Sequence, residues 1–363
     1  MPSTAFLLFS GSKFGGMERR YARLVEFLCH KGTDVTLLCT CDALEGMRAL
    51  GIDLPQSRVR LIDVDRVNSG GFSGKINRLY GLSRAFWLIA TGGYQQVHVV
   101  ANPGLIVLLF AGLSRFLPPF SFSVVDSRLN FDSWVVDRSV RRARAVDCLS
   151  ETIGEYVREQ CRRPSDMSKI RIAPCSFIDV SDARVGDRRD IDVIMMARFS
   201  PEKGYGLFLE SLPNLPQHLE IHLCGFGPQP PKTSRAKVYE SSDPLKVLSR
   251  AKIFLSLQRV ENYPSQALLE AMASGCAIIA TDVGETRRLL DESCALLIPP
   301  NPEFLAAAIN RLINDSFLRQ RLGLAARERV LREHTLERYA AYFRSTILGG
   351  FERAETSSTK KGW

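Results

Sequence analysis

Apolar, strand-like runs alternate with helix-period segments from one end of this chain to the other. That pattern belongs to parallel strands joined by crossover helices, with helices covering both faces of each sheet. The first cycle is explicit. Ala5-Phe6-Leu7-Leu8-Phe9 reads as a strand and Gly11-Ser12-Lys13-Phe14-Gly15-Gly16 as a turn. Met17, Tyr21, Leu24, Val25 and Leu28 then recur at i, i+4, i+7, i+8 and i+11, the buried face of a helix that Gly32 stops. Val35-Thr36-Leu37-Leu38-Cys39 is the next strand.

The first half continues with strands expected at 59–64, 97–100, 121–125, 146–149 and 170–173, and helices near 75–91, 103–115, 132–143 and 151–162. From Val180 to Asp190 the chain has few apolar groups and no period, so it reads as a linker. The second half repeats the alternation, with strands near 192–197, 219–224, 237–240, 253–257, 277–281 and 295–298 and helices beginning near 203, 244, 264, 285 and 302. Two further helices rich in Arg and Leu follow at 315–333 and 335–348. The expected domains are 1–182, with the helix 335–349 packing back on it, and 187–333; residues 352–363 read as a disordered tail. The 363 residues suit two domains at ~150 residues each.

Composition narrows the function classes. The most apolar stretch, Val97 to Leu113, is broken by Asn102-Pro103-Gly104, leaving too little to span a bilayer, which takes ~20 residues. The first residues lack the basic start of a secretory signal, so a cytoplasmic chain is expected. Nine cysteines form no CxxC pair and sit mostly in apolar runs, which suits reduced core thiols and neither disulfides nor metal. A formal charge of +9 favours an anionic partner: a nucleoside diphosphate, an acidic membrane surface or nucleic acid.

Ligands of doubly wound sheets bind outside the carboxyl ends of the strands, so those ends are where chemistry is sought. Strand 192–197 delivers Arg198-Phe199-Ser200-Pro201-Glu202-Lys203-Gly204. A guanidinium fork and an ammonium point charge are the pair that would hold a diphosphate and stabilise its departure without a metal; the same residues would also suit a solvated loop. Strand 253–257 leads through Glu261, Asn262 and Tyr263 to Pro264 and Ser265, a helix start, with Gly275 as its stop. Free amides at that start suit an anion. Leu268, Ala271 and Met272 share the buried face, whereas Glu270 points elsewhere and calls for a partner, either a ribose diol or a cation from a neighbouring helix.

These residues carry a resemblance. Met196 to Gly204 with Arg198 and Lys203, then Cys224-Gly225-Phe226-Gly227-Pro228, Glu261 to Gly275 and Thr281-Asp282-Val283-Gly284 resemble, in order and spacing, the retaining glycosyltransferases of family 4 over the second half. The first half resembles them through Gly15-Gly16 before a helix, His98 at an expected strand end, and Pro174 to Asp179. The resemblance implies the GT-B fold, two Rossmann-like doubly wound parallel-sheet domains facing across a cleft, and no cofactor or metal beyond a nucleotide-diphosphate sugar as donor. It implies that Arg198 and Lys203 bind the diphosphate, Glu270 the ribose, and Glu261 with Asn262, Tyr263, Pro264, Ser265 and Gln266 the donor sugar. Gly15, Gly16 and Gly225 would let backbone approach the ligand, and His98 would touch the sugar. Asp126 is a further cleft-edge candidate. Glu261 and Glu270 are separated by eight residues, one more than the family pattern, which shifts the loop that would read the sugar.

The expected activity is therefore that of a hexosyltransferase, transferring sugar to a hydroxyl of a glycan or lipid-linked acceptor, with surface-polysaccharide or lipopolysaccharide assembly as the family's usual setting. No Asp or Glu of the first half stands out as a covalent nucleophile, so front-face attack is expected. Phosphorylase or sugar-nucleotide epimerase chemistry would use the same cleft. A non-catalytic, basic nucleic-acid binder is the weaker reading because the donor residues are all present. A nicotinamide enzyme is disfavoured because the first turn is G-x-x-x-G-G, and Gly70 to Ile76 lacks P-loop spacing. Basic stretches at Arg19–Arg23, Arg138–Arg144 and Arg158–Arg163 suggest peripheral association with an anionic inner membrane leaflet.

Overall fold

The computed structural model describes residues 3–9, 15–63, 72–125, 130–179, 183–241, 243–261, 263 and 265–349; the expected tail over 352–363 lies outside them. The chain divides into two compact units, Met1–Pro174 with Leu336–Trp363, and Cys175–Thr335.

The first unit runs β1 (Thr4–Leu8), α1 (Gly16–His30), β2 (Val35–Cys39), α2 (Cys41–Ala49), β3 (Val59–Leu61), α3 (Phe72–Thr91), β4 (Gln96–Val100), α4 (Leu105–Leu113), β5 (Phe120–Val124), α5 (Ser133–Arg142), β6 (Val146–Cys148), α6 (Glu151–Glu159), α7 (Pro164–Met167) and β7 (Ile170–Ile172). Its seven strands pair in the order β3-β2-β1-β4-β5-β6-β7, every pairing parallel. Residues of β1, β2, β4 and β5 are buried throughout, because helices cover both faces of a parallel sheet. The short α2 was not expected. It buries only Ala43 and Met47, too few for a visible period, and the Thr40 hydroxyl caps it by accepting from Ala43 N–H at 3.3 Å.

The second unit runs β8 (Ile191–Met196), α8 (Tyr205–Ser211), β9 (Ile221–Cys224), β10 (Lys237–Tyr239), α9 (Pro244–Leu248), β11 (Ala251–Ser256), α10 (Gln266–Ala273), β12 (Ala277–Thr281), β13 (Ala295–Ile298), α11 (Pro302–Asn314) and α12 (Ser316–Glu333). Its six parallel strands lie in the order β10-β9-β8-β11-β12-β13. Alternation along the strands sends Val193, Met195 and Leu255 toward α8 and α11, while Ile194, Phe254 and Ile278 meet α10 and α12.

Two expectations change here. A helix near 285 is replaced by a single 3-10 turn, Thr286–Arg288, because the Glu285 N–H is bound by the Glu261 carboxylate and Gly284 sits at φ +52°. The chain also passes into the second unit before the polar stretch at 180–190. Phe177 and Ile178 are buried there. The Phe177 carbonyl accepts from Gln266 Nε2 at 2.8 Å, and Ile178 N–H donates to the His334 carbonyl at 3.2 Å.

The last helix, α13 (Leu336–Tyr342), continues as a π-helical stretch, Phe343–Leu348, and belongs to the first unit. A buried carboxylate receives it. Asp147 accepts from Tyr339 at 2.7 Å and Tyr342 at 2.9 Å, as well as from Tyr21 at 3.2 Å and Ser123 at 2.8 Å. Burial pushes the Asp147 carboxyl up while these four hydroxyls pull it down. Next to it His98 is fully enclosed, packed against Phe6 and Phe343 at centroid distances of 5.0 and 4.8 Å. Its Nδ1 and Nε2 pair with the hydroxyls of Ser121 and Ser123 at 2.9 and 3.0 Å. Since Ser123 spends its one proton on Asp147, His98 carries its own proton on Nε2 and accepts from Ser121 at Nδ1.

Burial holds the His98 ring down at about 3, against an unfolded value near 6.5. The unfolded chain therefore binds the extra proton first, and stability falls as pH drops from about 6.5 toward 3. Between pH 7 and pH 5 this group alone costs about 2 kcal/mol. His98→Asn is expected to lose less stability than wild type over that interval in urea unfolding followed by far-UV dichroism. Equal losses would remove His98 as the cause.

Candidate active site

In an open parallel sheet, the crevice opens where the strand order reverses. In the second unit that point lies between β8 and β11, whose outer neighbours are β9 and β12. The connections leaving β8 and β11 are therefore the ones able to place side chains around a ligand.

The connection after β8 is held by its own packing. Phe199 is buried edge-to-face on Tyr205, with centroids 5.4 Å apart, and the Tyr205 hydroxyl donates to the Ala197 carbonyl at 2.9 Å. Phe199 N–H donates to the Phe226 carbonyl at 2.7 Å. This draws the 225–227 loop so close that a Cβ on Gly225 would collide with the Ala197 carbonyl. Arg198 stays exposed, its guanidinium 5.9 Å from the centre of the Phe226 ring. A 3-10 turn, Pro201–Lys203, ends at Gly204 with φ +83°. A side chain there would strike the Leu257 carbonyl at the end of β11.

That close approach sets the next contact. Lys203 Nζ donates to Gln258 Oε1 at 2.7 Å, and Arg259 N–H donates to the Glu202 carbonyl at 3.3 Å. The Thr281 hydroxyl, from the end of β12, donates to the Gln258 carbonyl at 2.5 Å. Three successive strand ends thus fix the position of one ammonium group. The sequence assigns no role to Gln258 or Phe226. Their signal was positional, since each follows an apolar strand at its carboxyl end.

Glu261 is half-buried and knits two loops together. Its carboxylate accepts from Tyr263 N–H at 2.8 Å and Glu285 N–H at 3.1 Å, with Gly284 lying directly against it. The Tyr263 ring lies under Arg288, whose guanidinium is 4.5 Å from the ring centre and pairs with Glu285 at 2.8 Å. Asn262 and Pro264 lie outside the described residues. Ser265 caps α10 by accepting from Leu268 N–H at 3.4 Å. The Gln266 side chain is turned to the Phe177 carbonyl, leaving its backbone N–H at the helix start. Glu270, only 4% exposed, sits on the second turn of α10, next in sequence to the buried Leu268, Leu269, Ala271 and Met272.

In the first unit the reversal lies between β1 and β4. Gly15 and Gly16 open α1 there, and Gly15 N–H donates to Glu18 Oε2 at 3.0 Å, a carboxylate of the first turn reaching back to the helix start. His98 is corrected: it is the middle residue of β4, not its end, with no exposed surface and both nitrogens engaged. It is a core residue. Asp126 lies outside the described residues.

Residues 190–315 match the family described as glycosyl transferases group 1. No curated protein sequence matches the chain. Among solved structures it is similar to HepE of Anabaena in complex with UDP and glucose, at 14% identity and a TM-score of 0.73, covering 99% of this chain and 100% of that one. It is also similar to sucrose-phosphate synthase from Thermosynechococcus elongatus, at 18% identity and a TM-score of 0.75, covering 99% and 100%. The pneumococcal O-GlcNAc transferase GtfA in complex with UDP and GlcNAc aligns at 11% identity and a TM-score of 0.67, covering 96% and 99%. At these identities the shared property is the fold. Residues 190–315 of the second unit thus match the glycosyl transferases group 1 family model, and the two parallel-sheet units of the chain have the fold of GT-B glycosyltransferase structures.

Proposed function

We propose that the second unit binds a nucleotide-diphosphate sugar at the reversal between β8 and β11. The chain then transfers that sugar, with retention of anomeric configuration, to a hydroxyl of a glycan or lipid-linked acceptor. One observation carries the reading: the Lys203 ammonium is held by Gln258 at the strand ends, on the same short connection as the exposed Arg198. The complexes of HepE with UDP and glucose and of GtfA with UDP and GlcNAc support a uridine diphosphate sugar as donor.

In this reading Arg198 grips phosphate oxygens with its fork and Lys203 supplies a point charge beside it. The backbone N–H groups at Gly225 and at the Ser265-capped start of α10, Gln266 among them, face the diphosphate and sugar, while Asn262, Tyr263 and Pro264 belong to the donor-sugar loop by resemblance to the family. Glu270 accepts from the two ribose hydroxyls. Glu261 shapes the sugar side of the pocket by holding the loop after β12. Gly15 and Gly16, at the start of α1, keep the role the family resemblance implies, letting backbone approach a ligand. His98 has no part in it.

The acceptor oxygen attacks the anomeric carbon on the face from which the diphosphate leaves. The bond from that carbon to the β-phosphate oxygen breaks, and the acceptor proton passes to the departing phosphate. The two side-chain cations neutralise the charge that develops, so this step requires no metal. The product belongs to surface-polysaccharide or lipopolysaccharide assembly, the family's usual setting.

Arg198→Ala and Lys203→Ala are each expected to lower kcat about 10²–10³-fold, the loss typical of one oxyanion-hole donor. The measurement is transfer from radiolabelled UDP-sugars, with the anomeric outcome read by NMR. Near-normal turnover in both variants removes the proposal, and inversion at the anomeric carbon removes retention. Glu270→Gln is expected to raise the donor KM about tenfold with a smaller change in kcat; an unchanged KM would take the ribose role from Glu270. Gly204→Ala should lower both melting temperature and transfer, because its Cβ meets the Leu257 carbonyl at a φ of +83°. Full activity there would show that the approach does not set Lys203.

A further inference from the structure

We propose that the outward face of α3, α4 and α5 in the first unit is a docking surface for an anionic lipid bilayer, a reading that stands apart from the donor site. The helix α3 carries apolar side chains on its exposed side as well as on its buried one. Leu82, Ala85 and Ile89 are buried, while Ile76, Leu79, Tyr80 and Trp87 are 52, 70, 49 and 62% exposed. At 3.6 residues per turn these four fall within one arc of about 100°. The helix contains no acidic residue, and Arg84 flanks the arc. Tyr80, Ser83, Arg84 and Trp87 line a shallow groove of about 330 Å³.

The neighbouring helices continue the surface. The Phe86 and Phe110 rings, 4.7 Å apart, join α3 to α4. The nine residues of α4 carry no charge; Val107, Phe110 and Ala111 are buried, while Leu105 and, just past the helix, Phe116 stay exposed. The Arg115 guanidinium lies 4.9 Å from the centre of the Phe116 ring. Packed against α4, α5 exposes Trp134, Arg138 and Arg142. Its one acid, Asp137, is buried against Arg141, and Asp132 is the exposed acid at its start.

An interfacial helix has this chemistry: apolar side chains to enter the acyl boundary, Trp and Tyr at headgroup level, and arginines for phosphate. Two-fold self-association would bring two copies of the same arginine-bearing face together, positive surface against positive surface. A bilayer of anionic lipid offers the opposite charge. The other basic stretches differ from one another. In Arg19–Arg23, Arg20 is buried and Arg23 binds Glu26 and the Leu50 carbonyl; in Arg158–Arg163, Arg158 pairs with Glu151, while Arg162 and Arg163 are exposed next to α5, where Arg162 N–H donates to Asp137 at 2.9 Å. Among the described residues no helix is long and apolar enough to cross a membrane, so the contact is a surface one.

The test is sedimentation of the full chain at low salt with vesicles of phosphatidylcholine and phosphatidylglycerol, against phosphatidylcholine alone. Binding to the anionic vesicles is expected. Leu79→Ser with Trp87→Ser should weaken it about tenfold or more, and Arg138→Ala with Arg142→Ala by about fivefold per arginine. Val260→Ser with Phe317→Ser, at exposed apolar positions of the second unit, should leave it unchanged. With Trp134→Phe and Trp363→Phe, Trp87 is the single remaining tryptophan, and its emission should shift to the blue on anionic vesicles. Arg198→Ala should bind as wild type, which separates this result from the donor reading. No binding to anionic vesicles overturns the proposal, as does binding that survives the Leu79 and Trp87 changes. Self-association abolished by those same changes would also overturn it and assign the face to a second copy.

Discussion

The backbone of Gly204 lies against the carbonyl that ends β11, and the candidate chemistry of the second unit depends on that contact. It draws the connection after β8 onto the neighbouring strand end, within reach of Gln258. An ammonium group on four flexible bonds carries ~2 kcal/mol of rotamer entropy. Holding it beforehand means that less of this is lost when an anion arrives. Gly225 repeats the device one strand over, where the 225–227 loop closes on Ala197. Two glycines without side chains thus decide where the charged side chains stand.

The two sheets share a topology and differ in what fills them. The second is lined on both faces by apolar residues, aliphatic and aromatic, with Glu270 as the buried acid of α10. The first holds a polar knot of Asp147, Ser123, Ser121 and His98 beneath Tyr21, Tyr339 and Tyr342. Each of these groups has a partner, which is the condition for keeping polar atoms in such a place. Such a knot favours one arrangement of its neighbours over others of similar packing.

Strand runs such as Thr4–Leu8 and Ala277–Thr281 were legible because parallel sheets bury both faces, leaving unbroken apolar sequence. The residues at strand ends were legible too, since Arg198 and Lys203 follow such a run directly. Contacts between connections distant in sequence were not. Glu261 binds the N–H of Glu285, a pairing no local period announces, and it also displaced the helix expected near 285. His98 misled because an apolar strand around a histidine reads the same whether the ring meets solvent or two serine hydroxyls across the sheet. The α3 face was hidden for the opposite reason. Its leucines and tryptophan look like core in a sequence, and only the fold shows which side they take.

The return of the C-terminal segment to the first unit bears on how this polypeptide is made. The Tyr21 and Tyr339 hydroxyls lie 3.5 Å apart across 318 positions of sequence. Sheet strands of the first unit are all synthesised before the second unit begins, yet the residues that complete its polar knot, Tyr339 and Tyr342, emerge only after the second unit. During synthesis the N-terminal half therefore waits with Asp147 lacking Tyr339 and Tyr342, and a nascent chain arrested before residue 336 would carry that half unfinished. The polar core of the first unit is thus completed only once synthesis has passed Tyr342.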